Sequence, residues 1–459
     1  MHPKNDTTLS TTAVNAFRAR CRGAVVMPGE LGYDQLREVW NAQINRRPAI
    51  IVRVACVDDL TAAVRFGRDN GLVVSVRGGG HNVPGLAVCE GGLMIDCASM
   101  RNVRVDPVRK RAFAEPGVTW GDFDAQTQAF GLTTPGGAIS HTGIAGLTLG
   151  GGFGWLGGRY GLTCDNVRSF KIVTADGTLL TASAEENSDL FWALRGGGGN
   201  FGIVVEFEYE LHEVGMMYGG MILYPYASGK AVFAGFNDHL SHCPDELVTF
   251  VGILKSPDGS PVVGAIVAYN GAAAAGAEAV DPFRKFATPI ADLTGPIRYT
   301  KLQRLLDEPC AAHRRNYIKT NLLKDHVVDV AERCLGGFES VASPHSMIAF
   351  QCLGNAARRI PNDATAFGHR EAKLECMVLS IWNSPEEDQK QIEWTRSLSR
   401  QIEPLASGHY FNHVGMEADE AEDKARIAVG GNYARLSKLK AKYDPTNFFR
   451  HNQNIKPAL

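Results

Sequence analysis

Short apolar runs separated by glycine and polar turns dominate the first half of the chain, and they predict small strands alternating with helices. The clearest helix opens at Val57, and its apolar positions recur at helical spacing at Leu60, Ala63, Val64 and Gly67. Asn70-Gly71 ends this helix, and apolar strands flank it at residues 49–54 and 73–76. The arrangement predicts a β-α-β unit.

The other elements of this half are equally short, and their spacing favours a mixed α+β layer over a doubly wound sheet. Strands are predicted at residues 92–96, 103–106, 111–115 and 202–211, and a hairpin turns at Asp176-Gly177. Helices are predicted at residues 12–22, 33–40, 119–130 and 190–194.

The pattern changes past Gly215, where longer apolar segments are typical of successive strands in an antiparallel sheet. These strands are predicted at residues 219–226, 247–254, 262–269, 346–353 and 372–381. Helical regions are predicted at residues 271–280, 299–335, 386–402 and 433–442. We therefore divide the chain into a first domain (1–215), a second domain (216–404) and a C-terminal return to the first (405–459).

Composition and charge narrow the class of protein. Hydrophobic residues make up 44% and charged residues 21% of the 459 residues, which is typical of a globular enzyme. The net charge is −2 and no basic tract occurs, so we expect no nucleic-acid partner. The N-terminus lacks the apolar stretch of a secretory signal and no segment is apolar enough to span a membrane, which predicts a cytoplasmic protein. The ten cysteines are scattered without metal-ligand spacing, so we expect no metal site.

Glycine is the exception in this composition, because seventeen of the fifty glycines fall between Gly136 and Gly202. A second concentration lies in the stretch VVSVRGGGHN at residues 73–82. Glycine lets a backbone turn sharply and approach a ligand, and its N–H groups, with Arg77 beside them, can seat a phosphate. His81 ends this run, either as a solvent-facing loop residue or as a group with a chemical role.

The motif from Gly152 to Gly157 matches the G-x-G-x-x-G dinucleotide fingerprint, but its context does not. No clear strand precedes it, and the acidic residue at the expected distance, Asp176, lies in a hairpin turn. We prefer a different interpretation, in which the glycine-rich loops 77–82 and 136–154 close together on one flat, phosphate-bearing cofactor.

Several long motifs, in this order, carry a family resemblance: RGGGHN (77–82), GGLMID (91–96), TPGGAISHTGIAGLTLGGGFGWLGGRYGLTCDNV (134–167), IVTADG (172–177), DLFWALRGGGGNFGIV (189–204) and YDPTNFFRHNQNI (443–455). The chain resembles the berberine-bridge-enzyme-like branch of the vanillyl-alcohol-oxidase flavoproteins. This resemblance implies an α+β fold with a two-part PCMH-type FAD-binding domain and a substrate domain whose antiparallel sheet is flanked by helices. The first domain and the C-terminal return would then bind FAD.

The resemblance also implies that His81 is bonded covalently to the flavin, which tethers it and makes it a stronger oxidant. Relatives with two covalent links use a cysteine at the position of Ile139, so we predict a single link through His81. The two loops and the C-terminal motif supply the other expected FAD contacts: Arg77, Gly78, Gly79, Gly80, Asn82, Pro135, Gly136, Gly137, Thr142, Gly143, Gly146, Leu147, Gly150, Gly151, Gly152, Phe153, Gly154, Asn452 and Asn454.

One further departure concerns Leu147, which stands where many relatives place a histidine beside the flavin. With Thr142 it would leave a small pocket that could admit molecular oxygen. In this respect the chain is similar to the bacterial antibiotic-pathway members of the family, which implies a role in secondary metabolism. Some of those members use an oxygenated flavin.

The resemblance points to an FAD-dependent oxidase that takes hydride from a small hydroxylated or amine metabolite and returns the electrons to O₂ as H₂O₂. Tyr410, in a Tyr-x-Asn pattern, is the first candidate for the base, although an ordinary tyrosine pKa near 10 would have to be lowered. His369 and Glu375 are further catalytic candidates, and the expected substrate contacts are Tyr224, Gln351, Arg370 and Asn412.

Two other functions stay open from the sequence. The first is an oxygenating flavoenzyme that acts on a polyketide-like substrate. The second is a metabolite-binding or drug-binding flavoprotein with little turnover.

Overall fold

A computed structural model of the protein describes residues 9–415 and 421–459, so the polar residues 1–8 lie outside the described part. The first sheet has the order β1-β2-β4-β3, in which β2, β4 and β3 are parallel and β1 is antiparallel to β2. Its strands are β1 (Ala24–Val26), β2 (Ile50–Arg53), β3 (Val74–Arg77) and β4 (Leu93–Asp96). Its helices are α1 (Thr11–Arg20), α2 (Tyr33–Arg37) and α3 (Val57–Asp69). The predicted face of α3, from Leu60 to Gly67, is buried as expected.

The second sheet is antiparallel and has the order β5-β6-β10-β8-β9. Its strands are β5 (Val103–Asp106), β6 (Arg111–Ala114), β8 (Val167–Val173), β9 (Leu179–Ser183) and β10 (Ile203–Glu210), while β7 (Leu132–Thr133) pairs with β11 (His212–Glu213). The helices of this part are α4 (Trp120–Thr127), α5 (Ile144–Leu149), α6 (Gly157–Tyr160) and α7 (Ser188–Leu194). Helix α5, rather than a strand, precedes the G-x-G-x-x-G match, which removes the context of a dinucleotide fold.

The third sheet is antiparallel, runs in the order β15-β12-β14-β13-β18-β19-β17, and carries β16 beside β12. Its strands are β12 (Met216–Pro225), β13 (Leu247–Lys255), β14 (Pro261–Tyr269), β15 (Ala291–Asp292), β16 (Gly295–Arg298), β17 (Arg315–Leu323), β18 (Met347–Cys352) and β19 (Leu374–Trp382). Four helices cover one of its faces: α8 (Gly229–Leu240), α9 (Ala273–Phe286), α11 (Val327–Phe338) and α13 (Asp388–Ile402). Two single-turn helices, α10 (Tyr299–Leu302) and α12 (Asn355–Arg358), lie beside it.

One prediction for this region is wrong. Residues 299–335 do not form one helical region, because strand β17 separates α10 from α11. Strand β17 pairs with β19 over its whole length, from Arg315 opposite Trp382 to Leu323 opposite Leu374. The charged residues Arg315 and Lys319 weaken the strand pattern of this segment in the sequence. Pairing with β19 stabilises the strand despite this weak local strand propensity.

The C-terminal segment packs against the first two sheets. It contains α14 (Ala421–Val429) and α15 (Tyr433–Tyr443). Leu436 and Ile455 join the core of the second sheet, while Phe448 and Phe449 join the core of the first. The chain thus returns to its beginning after completing the third sheet. No helix in the described ranges has the length and apolar character needed to cross a membrane.

Candidate active site

A cavity of about 410 Å³ lies between the loops of the first two sheets and the open face of the third sheet. This volume is within the range of small-molecule and cofactor sites. In sequence order, the residues that line it start at Trp40, include both glycine-rich loops and finish at Gln453 of the C-terminal segment. Residues far apart in sequence therefore meet in one site.

The two glycine-rich loops, expected to converge, touch backbone to backbone. A Cβ atom added to Gly79 would lie 2.5 Å from the Cα of Gly143, and one added to Gly143 would lie 2.5 Å from the backbone nitrogen of Gly79. No other residue type fits this contact without moving a backbone. The glycines of the β3–His81 turn therefore set how close the loops can come.

His81 lies in the cavity wall with its ring held between two aromatic neighbours. It stacks on Trp40 at 4.3 Å between ring centroids and is tilted against His141 at 5.0 Å. Its Nε2 atom is buried without a hydrogen-bond partner. Burial and the neighbouring His141 lower the pKa of His81 to about 3, so the imidazole is neutral near pH 7. A neutral imidazole facing a cavity can act as a nucleophile or a ligand.

The residues present fit an FAD molecule. The cavity reaches from Gly198, Gly199 and Asn452 at one end, past His81, to the third sheet at the other. Within the described ranges no lysine or arginine lines it, so the backbone N–H groups of the glycine turns would bind the phosphates. The side-chain oxygen of Asn452, which lines the cavity, is also buried without a partner, as expected for a polar group that binds a ligand.

At the third-sheet end of the cavity, Glu375 is hydrogen-bonded to a histidine. Glu375 is completely buried on β19, and its Oε1 atom lies 2.8 Å from Nδ1 of His413. Its Oε2 atom has no partner. His413 was not among the predicted site residues, although it directly follows the Tyr-x-Asn pattern.

Tyr410 lies beside this pair as a hydrogen-bond acceptor. Its hydroxyl accepts from the backbone N–H of Gly152 at 3.0 Å and from Nδ2 of Asn412 at 2.8 Å. Complete burial, and next the charge of Glu375, raise the pKa of Tyr410 far above its usual value despite these two bonds. Tyr410 therefore stays protonated near neutral pH and lacks the lowered pKa that the sequence argument required.

Three residues predicted for the active site do not line the cavity. Tyr224 points from β12 toward the helices, where its hydroxyl donates to the carbonyl of Phe283 at 2.6 Å. Nε2 of His369 lies 2.7 Å from the carbonyl oxygen of Ile427, under α14. Arg370 is buried and forms a two-pronged ion pair with Asp165, at 2.6 and 2.9 Å. Each of these side chains is occupied by structural contacts, so their predicted active-site roles are not supported by this arrangement.

The predicted cofactor residues divide in the same way. Those that line the cavity are Gly78, Gly79, Gly80, His81, Asn82, Gly137, Thr142, Gly143, Gly146, Leu147, Phe153 and Asn452. Those outside its lining are Arg77, Pro135, Gly136, Gly150, Gly151, Gly152, Gly154 and Asn454. Arg77 is engaged elsewhere, since it donates to the carbonyl of Leu36 at 2.7 Å and lies 3.6 Å from Asp96.

Some glycines outside the lining pack closely against neighbouring side chains. A Cβ atom on Gly150 would lie 2.0 Å from Oδ1 of Asn412, and one on Gly136 would lie 2.5 Å from the ring of Trp120. Of the predicted substrate-side residues, Gln351, Glu375, Tyr410 and Asn412 line the cavity. The glycine-rich loop thus contacts the cavity on one side and packs against its supporting residues on the other.

Comparison with known proteins identifies the family of the chain. The family model described as FAD binding domain matches residues 48–183, and that described as Berberine and berberine like matches residues 426–456. With the fold, these matches define an FAD-linked oxidoreductase. An FAD-linked oxidoreductase of Dictyostelium discoideum is 31% identical over 98% of both chains. The chain belongs to the berberine-bridge-enzyme-like FAD-linked oxidases.

Two further comparisons have activities in their names. The chain is similar to (R)-6-hydroxynicotine oxidase of Paenarthrobacter nicotinovorans, at 28% identity over 95% of this chain and 97% of the relative. The crystal structure of 6-hydroxy-D-nicotine oxidase from Arthrobacter nicotinovorans superposes with a TM-score of 0.87 at 28% identity, covering 95% of this chain and 98% of the other. The predicted PCMH-type α+β fold is therefore confirmed.

Proposed function

We propose that the protein is an oxidase that holds FAD through one covalent bond to His81 and oxidises a small hydroxylated or amine metabolite with O₂. The observation that carries the proposal is the cavity itself, which places a neutral, unpartnered imidazole and a buried carboxylate–histidine pair around the same space. Bound FAD would accept a hydride from the substrate and pass the electrons to O₂, giving H₂O₂. The name of the nicotinovorans relative, an oxidase, supports this class of reaction.

The single covalent link rests on the residues around His81. Ile139, at the position of the second link in doubly linked relatives, lines the same cavity and carries no thiol. The lowered pKa of His81, to about 3, keeps its imidazole unprotonated, which a bond-forming nitrogen requires. Trp40 fixes the orientation of the ring by stacking on it.

Glu375 and His413 are the better candidates for the base. A base must be able to take a proton near the working pH, and burial keeps Tyr410 protonated. The Glu375 carboxylate has one oxygen on His413 and the other unoccupied, so it can accept a substrate proton and share the charge with the imidazole. Tyr410 and Asn412 would then position the substrate and the loop at Gly152 through their hydrogen bonds.

Denaturing electrophoresis after acid treatment tests the covalent link. The wild type should give a fluorescent yellow band at the mass of the chain, and His81→Ala should lose it. His413→Ala, in a residue outside the linkage, should keep the band. A wild-type protein whose flavin separates completely from the denatured chain would refute the link, while H₂O₂ release over a substrate panel tests the oxidase activity separately.

One observation favours a second function. Thr142 and Leu147 both line the cavity, and the family resemblance puts Leu147 where many relatives have a histidine beside the flavin. An oxygenating flavoenzyme acting on a polyketide-like substrate would incorporate labelled oxygen from O₂ into its product. Tight ligand binding without any reduction of the flavin would instead indicate a binding protein with little turnover.

A further inference from the structure

The wall that the third sheet contributes to the cavity is almost entirely apolar. Alternation along β12, β13, β14, β18 and β19 sends one set of side chains toward the helices and the other toward the cavity. The cavity-facing set includes Met221, Phe250, Leu254, Ile266, Met347 and Met377. Gln351 and Glu375 are the polar exceptions among the cavity-facing strand residues that the structure describes, and they are direct neighbours across β18 and β19.

A row of small residues crosses this apolar surface. Gly252 is paired with Gly264 on one side and with Ala349 on the other, and Ala349 is paired with Met377. The three nearest atoms to a Cβ built on Gly252 all belong to the backbone of β18, so no side chain closes over that point. At Gly264, by contrast, the side chains of Leu254 and Leu223 approach to 3.2 and 3.4 Å.

These residues form a shallow depression with one closed end. Its floor runs from Gly252 across Ala349 to Met377, which is about 10 Å at the usual spacing between strands. Its closed end lies at Gly264, under Leu254. A flat ring system fits such a floor, because an aromatic face packs against a surface of small and apolar residues without needing hydrogen bonds.

Glu375 lies at the open end of this depression, two residues from Met377 on the same face of β19. Its Oε2 atom is buried and has no partner, and no lysine or arginine among the described residues lines the cavity. Burying a carboxylate oxygen without a partner is costly, and a ligand ammonium group would donate hydrogen bonds to it.

We infer that the substrate is a flat, apolar aromatic amine, bound as its ammonium form to Glu375 with its ring over Ala349. The inference rests on the proposed function and narrows its substrate from hydroxylated or amine metabolites to amines. A sugar would leave most of its hydroxyl groups without partners on this surface, since burying an unpaired hydroxyl is unfavourable. A carboxylate would meet Glu375 as a like charge.

Isothermal titration calorimetry of the holoenzyme with cumylamine and cumyl alcohol tests the inference. The two ligands share one shape, and neither has a hydrogen on the carbon that bears nitrogen or oxygen, so binding is measured without turnover. The ammonium form of cumylamine should bind at least about tenfold more tightly than the alcohol, because its hydrogen bond to Glu375 is charge-assisted. Glu375→Gln should reduce this ratio to near one.

A second variant tests the position of the ring. Ala349→Phe fills the floor and should weaken binding of both ligands at least about tenfold, whereas Ala364→Phe, the same change at an exposed position outside the cavity, should not. Flavin content and melting temperature identify a variant that fails to fold. In that event Ala349→Leu, a smaller filling of the same floor, takes its place.

Three results would overturn the inference: equal or tighter binding of the alcohol, an unchanged ratio in Glu375→Gln, or tighter binding of cellobiose than of cumylamine. Failure of the proposed function gives a different pattern. If the protein lacks covalent flavin or releases no H₂O₂, the proposed function fails, but calorimetry still measures its ligand preference. If the protein is a covalently linked, active oxidase that prefers the alcohol, only the inference of an amine substrate fails.

Discussion

Lys440 provides the sharpest test of how the C-terminal segment is held against the cofactor-binding sheets. It is completely buried, and its ammonium group donates to Asp444 at 2.6 Å, to the carbonyl of Asn200 at 2.7 Å and to that of Phe449 at 2.9 Å. Asp444 in turn accepts the backbone N–H of Phe448 at 2.8 Å and of Phe449 at 2.9 Å. Lys440→Met would keep the length of the side chain and leave a buried carboxylate without its cation.

Removing one partner of a buried ion pair typically costs about 3–5 kcal/mol. At about 1.4 kcal/mol per factor of ten, local opening of the C-terminal segment should become roughly a hundredfold to several thousandfold more frequent. Hydrogen exchange measured by mass spectrometry on peptides covering residues 444–455 reports this opening directly. Because Phe449 and Asn452 line the cavity, bound FAD that is not yet covalently linked should also be lost faster.

Lys442 offers a matched control on the same helix. Its ion pair with Asp189 has the same 2.6 Å separation, but its side chain is 58% exposed. Exposed pairs contribute about 0–1 kcal/mol, so Lys442→Met should change exchange of the segment less than about fivefold. Equal effects of the two substitutions, or faster exchange spread evenly over the whole chain, would show that the buried network does not hold the segment.

Three further predictions concern the cavity and its supports. Tyr410→Phe removes the acceptor for the N–H of Gly152, so kcat/KM should fall about tenfold to a hundredfold with the covalent flavin intact; an unchanged kcat/KM would contradict this role. Arg370→Met leaves Asp165 buried and unpaired, so thermal unfolding should show a free energy of unfolding lower by about 3–5 kcal/mol. Arg370→Lys should not restore this stability, because Lys cannot form the two-pronged pair with Asp165. Burial raises the pKa of Asp124 from 3.8 to about 8, so the folded protein holds a proton that the unfolded chain releases, and stability falls as pH rises between these values. Asp124→Asn should therefore be more stable than the wild type at pH 7, by about 1–4 kcal/mol, with the difference vanishing near pH 4; a variant less stable at pH 7 would refute the raised pKa.

Local features of the chain were predictable from the sequence because their causes are local. The face of α3 follows from spacing within thirteen residues, and the turn at Gly78–Gly80 follows from consecutive glycines after an apolar strand. The meeting of the two glycine-rich loops was predicted from their shared glycine content, which suits two backbones that close on one cofactor. His81 and most of the glycines placed around it line the cavity accordingly.

In the third sheet, the face on which each side chain lies could not be predicted from the sequence. Helices cover one of its faces and the cavity borders the other, so its strands are apolar on both sides and their alternation is hidden. Tyr224 was therefore assigned to the wrong face. His413 contacts Glu375 across 38 positions of chain, and only the folded arrangement of β19 and the turn after Tyr410 brings them together. Arg370 was misjudged for a related reason, since its partner Asp165 lies 205 positions away.

The composition of the cavity wall has a consequence for the biosynthesis of the protein. Trp40 and Gly79 leave the ribosome early, whereas Phe449, His451, Asn452 and Gln453 are translated more than three hundred residues later. The cofactor site is therefore completed only when nearly all of this sequence has been synthesised. A chain interrupted before Phe449 would lack one wall of the site, so its flavin content reports whether translation has passed this residue.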